Sequence, residues 1–422
     1  MRLPLFVLGL LLAGAGLGAQ SAQVIDLGGG IYQAVGAGIQ GGSGVRVPQS
    51  NTFLIATSGG NVIVDTSIAA AARAHKEALS AVKGGPTQAI ILTHAHGDHT
   101  GGIATWREPN TKVIVHRLYP EFLEYTNRLA GYFAKSNVAQ FGGAARPAPT
   151  SPAVVALANA DAAASRVMFD DTYTVDVGDT RFELLHTPGE TPDHLTVWIP
   201  KLKAAFVGDN YYESFPNIYT LRGTRPRWAL DYVNSLNRVL ALDPEMVLPS
   251  HGAAIKGRDE VRRRLTKYRD AILYVHDATV KGMNDGKDVG TLMREITLPP
   301  ALDVGESYGK LSWSVRGIYE GYVGWFDGNV STMFGPPSQA YGEIVTLAGG
   351  PDAVAARALA LAATDPMCAL YLTDMSLAAD ARHKPSLLAR IAALKTLDTQ
   401  SNNSNERGWL AAGIREAESR LK

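Results

Sequence analysis

Residues 91–102 read ILTHAHGDHTGG, and this short stretch holds the side chains best suited to do chemistry. His94, His96, Asp98 and His99 lie within six residues, directly after an apolar run. Together they offer imidazole nitrogens and a carboxylate, the ligand set that Zn²⁺ binds at about 2.0–2.2 Å. Four ligand-type side chains in this order, followed by Thr-Gly-Gly, predict a metal site rather than a solvated polar turn.

Three later segments place ligand-type side chains in a similar setting. GETPDH (189–194), FVGDN (206–210) and LPSHG (248–252) each bring a His, Asp or Glu to the end of an apolar strand, beside Gly or Pro. Loops at one edge of a sheet can converge on one point, where the active sites of open sheets tend to lie. The sequence therefore predicts that these segments join the His-rich turn in a single site.

The surrounding pattern predicts the elements that must position this site. NTFLIATSGGNVIVDTS (51–67) is typical of a β-hairpin, 69–83 is rich in strong helix formers, and AIILT (89–93) is an apolar strand that ends at the His-rich turn. Strand–helix–strand alternation of this kind indicates an α/β fold. From about residue 258, helical spacing with many aromatic residues takes over. We therefore predict a catalytic α/β domain over 23–257 and an all-helical domain over 258–422.

Composition and the N-terminus bear on partners and compartment. Of 422 residues, 46% are hydrophobic and 19% are charged, and forty basic residues balance forty acidic ones. A net charge near zero leaves no basic footprint for nucleic acid, so we expect no nucleic-acid partner. Arg2 is followed by an apolar stretch with a Gly/Ala-rich exit, which predicts a cleaved signal peptide over 1–22. We therefore expect a periplasmic or secreted protein without stable membrane insertion after cleavage; a retained anchor helix is the alternative.

At this point the chain resembles the metallo-β-lactamase superfamily, whose members carry THxHxDH in an αββα sandwich. The resemblance covers roughly residues 25–255, and it implies that fold with two metal ions, taken as two Zn²⁺ per chain. It implies the following ligands: His94 and His96 for the first metal, Asp98 and His99 for the second, Asp209 as the bridging ligand and His251 as the last histidine. Asp98 and Asp209 are also the implied catalytic residues.

One departure from the superfamily pattern narrows the resemblance. A motif that usually reads TPGHT reads TPGET here, so Glu190 stands where a histidine ligand is usual. The alkyl sulfatase branch uses glutamate at this ligand, which implies that Glu190 binds the first metal; the alternative is a plain substitution, with His194 as the ligand. NIYTLRG (217–223), LPPAL (298–302) and SWSVRGIYEGYVGWFDGN (312–329) also resemble that branch and its helical dimerisation domain, which implies a homodimer.

Two differences from the alkyl sulfatases bear on the substrate. Known members often carry a further sterol-carrier-like domain at the C-terminus, which we do not expect in this protein. The segment after Asp209 is often His-rich in the family, but here it reads NYYESFP, with Glu213 and Pro216 where histidines are expected. Glu213 could donate a proton in place of a missing histidine.

Formal charge limits what the predicted metal centre can attract. Two Zn²⁺, the carboxylates of Asp98, Glu190 and Asp209, and a bridging hydroxide sum to zero, whereas a histidine at position 190 would leave one positive charge. A neutral centre attracts an anionic substrate poorly, so the protein must add cations.

Four residues are the predicted substrate-binding set. Arg222 is the best candidate cation, because a guanidinium matches the oxygens of a sulfate at two points. Asn217 could donate a further hydrogen bond, and the resemblance implies that both residues line the sulfate pocket. Tyr132, with nearby Arg128, matches a family segment that contributes a sulfate-contacting tyrosine.

The resemblance therefore implies a zinc-dependent hydrolase that cleaves alkyl sulfate esters and releases inorganic sulfate, with metal-bound hydroxide as the nucleophile. Metals lower the pKa of bound water from about 15.7 to near 7, but the sequence does not choose between attack at sulfur and attack at carbon. One alternative is hydrolysis of a carboxylic substrate such as a β-lactam, lactone or thioester. Another is a non-catalytic, metal-stabilised dimeric binding protein, which the large ligand set disfavours because a structural zinc site normally closes at four protein ligands.

Overall fold

The computed structural model describes residues 22–36, 49–142, 166–335 and 337–422. All of the predicted signal peptide except residue 22 therefore lies outside the described residues. The strands are β1 Ala22–Gly28, β2 Ile31–Gly36, β3 Thr52–Thr57, β4 Gly60–Val64, β5 Thr87–Ile91, β6 Lys112–His116, β7 Arg166–Phe169, β8 Thr172–Val177, β9 Thr180–His186, β10 Leu195–Ile199, β11 Ala204–Gly208, β12 Met246–Pro249 and β13 Ile255–Lys256. The helices are α1 Ala69–Val82, α2 Gly97–Thr100, α3 Ile103–Trp106, α4 Tyr119–Arg128, α5 Ala130–Phe141, α6 Ala229–Ala241, α7 Arg258–Asn284, α8 Val289–Glu295, α9 Leu311–Val323, α10 Tyr341–Leu347, α11 Pro351–Leu361, α12 Pro366–Ala379, α13 Lys384–Gln400 and α14 Ser404–Leu421.

Two mixed β-sheets stack face to face. The first has the order β1–β2–β3–β4–β5–β6–β7, antiparallel up to β4 and parallel from β4 onward. The second has the order β13–β12–β11–β10–β9–β8, in which β11 and β12 run parallel. Their facing sides bury one apolar cluster, within which the rings of Phe53 and Phe206 meet edge to face at 5.1 Å. Every residue of β10 and β11 is buried, as expected for strands covered on both faces.

Helices cover the outer face of each sheet and complete the predicted αββα sandwich. On the first sheet, α1, α3 and α4 bury Leu79, Trp106 and Phe122. On the second sheet, α6, α7 and α9 bury a larger cluster that includes Tyr232 and Tyr268. The predicted hairpin over 51–67 is confirmed as β3 and β4, and the helix predicted over 69–83 is confirmed as α1.

The long helix α7 packs with the sandwich although it begins just after the predicted domain boundary at 257. Its buried side chains at 261, 265, 268, 272 and 275 recur at helical spacing and join the apolar cluster on the second sheet. The fold therefore continues across the position where the composition changes.

The last five helices pack mainly on one another through small side chains. Ala358, Ala369 and Ala393 lie in the buried contact of α11, α12 and α13. Helix α14 also reaches α5, where Gly408 lies against the carbonyl oxygen of Gln140 so closely that no side chain fits. Within the described part of the chain, no single helix is long and apolar enough to cross a bilayer; α10 and α11 meet that criterion only as a pair bent by 89°.

Candidate metal centre

The seven predicted metal ligands converge at one edge of the sandwich. They come from the loop after β5, the short helix α2, the loop between β9 and β10, and the residues that directly follow β11 and β12. These residues are His94, His96, Asp98, His99, Glu190, Asp209 and His251. Because β4 and β5 run parallel, as do β11 and β12, each pair ends at a common edge and brings its loops together.

His94, His96 and Asp209 form the first group of side chains able to hold a metal ion. His94 Nε2 lies 2.9 Å from His96 Nδ1 and 3.9 Å from Asp209 Oδ2. Glu190 extends this group, since its Oε1 lies 3.8 Å from His96 Nδ1. Two ligands of one tetrahedral zinc, each at about 2.0–2.1 Å, are themselves separated by ~3.3–3.4 Å, so small side-chain adjustments would close this group around an ion.

Asp98, His99 and His251 form a second group beside the first. Asp98 Oδ2 lies 3.5 Å from His99 Nε2 and 3.2 Å from His251 Nε2. Asp209 stands between the groups, with Oδ2 3.4 Å from His99 Nε2 and Oδ1 3.5 Å from His251 Nε2. This is the position expected of a carboxylate that bridges two metal ions.

The electrostatics and the unpaired atoms of the site fit divalent cations. His99 Nε2 and Asp209 Oδ1 are buried without a hydrogen-bond partner among the described residues, although such atoms are nearly always paired in proteins. Burial lowers the pKa of His99, but the carboxylates of Asp209 and Asp98 outweigh it and raise that pKa well above its usual value. Burial also holds the pKa of His94 and of His96 well below the usual value, which favours the neutral imidazole that a metal ion requires.

Asp65, which the sequence reasoning missed, orients one of the candidate ligands. It lies at the end of β4, fully buried, and its Oδ2 accepts hydrogen bonds from His99 Nδ1 at 2.8 Å and Ser250 Oγ at 2.7 Å. A carboxylate on the far nitrogen of a ligand histidine fixes the tautomer and turns the other nitrogen toward the metal. One sequence signal could have identified Asp65: it is an aspartate at the end of the apolar strand that precedes β5.

His194 stabilises the position of Asp209 through a hydrogen bond to its backbone. Its Nε2 accepts a hydrogen bond from the Asp209 backbone N–H at 3.1 Å, and its Nδ1 lies 3.3 Å from Thr187 Oγ1. Burial lowers the pKa of His194 to about 4, which leaves the ring neutral and able to accept. Gly208 adopts φ 53°, and a side chain there would clash with the His194 ring. With both nitrogens engaged, His194 suits a structural role better than the alternative role of metal ligand.

Glu190 is held by two further residues that the sequence reasoning missed. Tyr232 donates its hydroxyl to Glu190 Oε2 at 2.8 Å, and Arg227 Nη1 forms an ion pair with the same oxygen. Burial raises the pKa of Glu190, and the charge of Arg227 opposes this effect. No motif marks either residue, because each reaches Glu190 from the α6 region, about forty positions later in the chain.

The predicted substrate-binding residues differ in how closely they approach the centre. Arg222 Nη2 lies 3.5 Å from His96 Nε2, and its Nε is buried without a partner among the described residues. Asn217 is buried, with Oδ1 also unpartnered. Tyr132 is exposed and stands over Gly223, next to Arg222. Arg128 points to solvent and pairs with Glu124 of its own helix at 2.6 Å, so the structure does not bring it to the centre.

The loop that carries Arg222 is tied to the C-terminal helix through one buried glutamine. Gln140 Oε1 accepts hydrogen bonds from the Arg222 backbone N–H at 2.9 Å and from Trp409 Nε1 at 3.4 Å. Its amide nitrogen donates to Thr220 Oγ1 at 3.2 Å. Helix α14 therefore helps to set the position of a predicted substrate-binding residue.

Two cavities open beside the centre. One, of about 370 Å³, reaches Glu190 and is lined by Phe122, Pro192 and Trp228. The other, of about 210 Å³, is lined by His251, Tyr212 and Tyr308, and the two tyrosine rings pack against each other at 5.3 Å. Each presents apolar as well as polar side chains and includes a candidate metal ligand, so each could hold the organic part of a substrate.

Glu213 does not face the centre as a proton donor would. Its carboxylate pairs with Arg264 of α7 at 2.7 Å, and more than half of the side chain is exposed. Tyr212, its neighbour, is the residue that reaches the centre, because its hydroxyl donates to Asp209 Oδ2 at 2.7 Å.

Two segments of the chain match known protein families. Residues 45–251 match the family described as the metallo-beta-lactamase superfamily. Residues 289–420 match the family described as alkyl sulfatase dimerisation. The first match contains the whole candidate metal centre, and the second contains nearly all of α8 to α14.

Similar proteins include alkyl sulfatases from Pseudomonas species. A linear primary-alkylsulfatase is 28% identical over 364 residues, which cover 80% of this chain and 68% of the relative. An (R)-specific secondary-alkylsulfatase is 26% identical over 359 residues, which cover 78% of this chain and 54% of the relative. The chain thus spans about half to two thirds of the length of these relatives. The solved structure of a stereoselective inverting sec-alkylsulfatase shares the fold, with a TM-score of 0.83 at 23% identity, over 95% of this chain and 66% of that one.

Proposed function

We propose, because this chain belongs to the metallo-beta-lactamase superfamily and carries an alkyl sulfatase dimerisation domain, that it hydrolyses alkyl sulfate esters and releases inorganic sulfate. The observation that carries the proposal is the convergence of seven imidazole and carboxylate side chains beside the guanidinium of Arg222. The similarity to alkylsulfatases over about four fifths of the chain supports this substrate class.

We propose two zinc ions as the cofactor. The mixture of imidazole and carboxylate donors matches the ligand preference of zinc, and the two groups of donors meet at Asp209. Bound zinc would supply Lewis acidity and lower the pKa of a water molecule to about 7. His94, His96 and Glu190 would hold the first ion, Asp98, His99 and His251 the second, and Asp209 both.

Arg222 would bind and orient the sulfate group. Its guanidinium lies against His96, so an anion held there sits at the edge of the first ligand group. Its Nε has no partner among the described residues, which leaves a donor free for a sulfate oxygen. Tyr132 lies over Gly223, on the solvent side of this position. Asn217 is buried, with Oδ1 unpartnered among the described residues and its carbonyl oxygen accepting from Arg227. Positioning and charge neutralisation are the main contributions open to these residues.

In the described part of the chain, the two positions expected to supply an acid for a leaving alcohol do not do so, because Pro216 replaces an expected histidine and Glu213 pairs with Arg264. Sulfate is itself a good leaving group, so cleavage of the C–O bond at the alkyl carbon needs no such acid. This reasoning favours attack at carbon over attack at sulfur.

Sulfate release from dodecyl sulfate tests the proposed function. We expect purified protein to bind two zinc ions per chain and to release sulfate, measured by ion chromatography, whereas chelator-treated protein should do neither. In ¹⁸O-water, C–O cleavage places the label in the alcohol and S–O cleavage places it in the sulfate.

The contrary result would be a protein that holds two zinc ions yet releases no sulfate from primary or secondary alkyl sulfates. Turnover of a β-lactam, lactone or thioester by that same preparation would favour a carboxylic substrate instead.

We also propose that the protein is a homodimer. The segment that matches the dimerisation family leaves large apolar side chains exposed: Trp325 at 70%, Val330 at 66% and Leu347 at 87%. Contiguous exposed apolar surface marks association sites, and these side chains are the candidates to form one. Sedimentation of the intact chain should give twice the 45.0 kDa monomer mass.

The double substitution Trp325→Asp with Leu347→Asp should shift this equilibrium toward monomer. Val82→Asp, at an exposed apolar position of α1, is the matched control and should leave the mass unchanged. A wild-type monomer at every concentration tested would contradict the proposal.

A further inference from the structure

Glu190 and Arg227 form a buried ion pair at the inner side of the candidate metal centre. Their side chains are 3% and 2% exposed. Arg227 Nη1 contacts Glu190 Oε2, and the Tyr232 hydroxyl donates to the same oxygen at 2.8 Å. The other oxygen, Oε1, faces His96 Nδ1 at 3.8 Å.

These contacts give the two carboxylate oxygens different roles. Oε2 already has a charged and a neutral donor, whereas Oε1 faces the imidazole ligands. A glutamate with both oxygens free can bind a cation through both, but this one presents a single oxygen. Arg227 is itself fixed, since Nη1 also donates to the Asn217 carbonyl at 2.7 Å and Nε to Thr224 Oγ1 at 3.3 Å.

Arg227 also changes the charge of the centre. Glutamate at position 190 brings one more negative charge than the histidine that is usual there. The guanidinium of Arg227 lies in contact with that charge, away from solvent, where the interaction is screened little. Buried arginines and glutamates are normally paired, and here the pair includes a candidate metal ligand.

We propose, on the basis of the proposed two-zinc function, that Glu190 and Arg227 act together as one neutral, single-atom ligand equivalent to a histidine nitrogen. Glu190 supplies the ligand oxygen, Tyr232 and Arg227 fix its direction, and Arg227 cancels its charge. The centre thereby keeps the positive charge that a lone glutamate would remove. That charge favours an anion such as a sulfate ester.

A charge-exchange cycle tests this inference with binding measurements that require no turnover. The variants are Glu190→His, Arg227→Met and the double variant, which restores the wild-type charge with a neutral ligand. Zinc affinity is measured by competition with a chromogenic chelator. Affinity of the zinc-bound protein for inorganic sulfate is measured by calorimetry.

We expect the single variants to fail in different ways and the double variant to recover. Glu190→His leaves the Arg227 cation buried beside the first ligand group, so zinc affinity should fall at least about tenfold. Arg227→Met leaves two zinc ions bound but removes one positive charge, so sulfate affinity should fall about tenfold or more. The double variant should return both affinities to within about threefold of the wild type, the behaviour expected of coupled residues.

Arg227→Lys shows whether a loss of sulfate affinity in Arg227→Met comes from the lost charge or only from a folding defect. Lysine keeps the charge but loses the planar fork, so sulfate affinity should stay within about threefold of the wild type. Arg238→Met is the matched control, because Arg238 pairs with Asp171 on the surface at 2.7 Å and should affect neither affinity.

Three results would overturn the inference: wild-type zinc affinity in Glu190→His, equal loss of sulfate affinity in Arg227→Lys and Arg227→Met, or a double variant worse than both single variants. A protein that shows the expected coupling but cleaves no alkyl sulfate would refute the proposed function alone. A protein that cleaves alkyl sulfates without the coupling would refute this inference alone.

Discussion

Replacing Asp209 by asparagine should reduce sulfate release from alkyl sulfates by at least about 10³-fold. Asp209 faces both groups of candidate ligands, with Oδ2 3.4 Å from His99 Nε2 and Oδ1 3.5 Å from His251 Nε2. Asparagine removes the charge and one of the two acceptor oxygens, so a single side chain can no longer serve two cations. The carboxylate can accept the hydrogen bond from Tyr212 and still offer an oxygen to an ion on each side. The amide, with one oxygen, cannot do both.

The measurement is kcat/KM for dodecyl sulfate together with zinc content per chain. We expect the second zinc to be lost or weakened while the fold, followed by Tm, persists. Asp171→Asn is a suitable control, since that carboxylate lies on the surface and pairs with Arg238. If the Asp209→Asn protein bound two zinc ions and kept a normal rate, Asp209 would have no role in the reaction.

Replacing Arg222 by lysine should lower kcat/KM for alkyl sulfates by about 10- to 150-fold, which corresponds to the loss of one charged hydrogen bond worth ~1.5–3 kcal/mol. Lysine keeps the positive charge but not the two-point geometry that matches sulfate oxygens. Because Arg222 is not among the candidate metal ligands, zinc stoichiometry should stay unchanged. The loss should therefore appear in kcat/KM and not in the number of zinc ions bound.

Arg225→Lys is the control for this prediction. Arg225 lies three residues further along the same loop, but its guanidinium pairs with Glu121 at 3.0 Å. We expect wild-type kinetics from Arg225→Lys. If Arg222→Lys also behaved as wild type, sulfate binding would have to be assigned to other residues.

The candidate metal ligands could be picked out from the sequence because their spacing is local. Four of them occupy one turn, and the others sit at strand ends, where a parallel arrangement brings loops together. Alternation of strands and helices likewise predicted an α/β fold, and the resemblance to the superfamily narrowed it to the αββα sandwich. In both cases the pattern within a short window carries the information.

The residues that support the ligands depend on contacts between distant parts of the chain. Asp65 reaches His99 across 34 positions, and only the parallel pairing of β4 and β5 makes them neighbours. Arg227 reaches Glu190 from a loop with no regular structure to predict. The change in composition near 257 does not tell which sheet α7 covers, and α7 packs on the second sheet of the sandwich.

The contact between α14 and the Arg222 loop makes the two halves of the chain interdependent. Trp409 and Arg222 share Gln140 Oε1, and Gly408 allows the helix to lie directly on the Gln140 backbone. The C-terminal helices thus support the loop that carries Arg222, in addition to the assembly role that we propose for them. An enzyme engineer could not shorten this chain to a minimal sandwich, or graft its C-terminal half onto another scaffold, without rebuilding the position of Arg222.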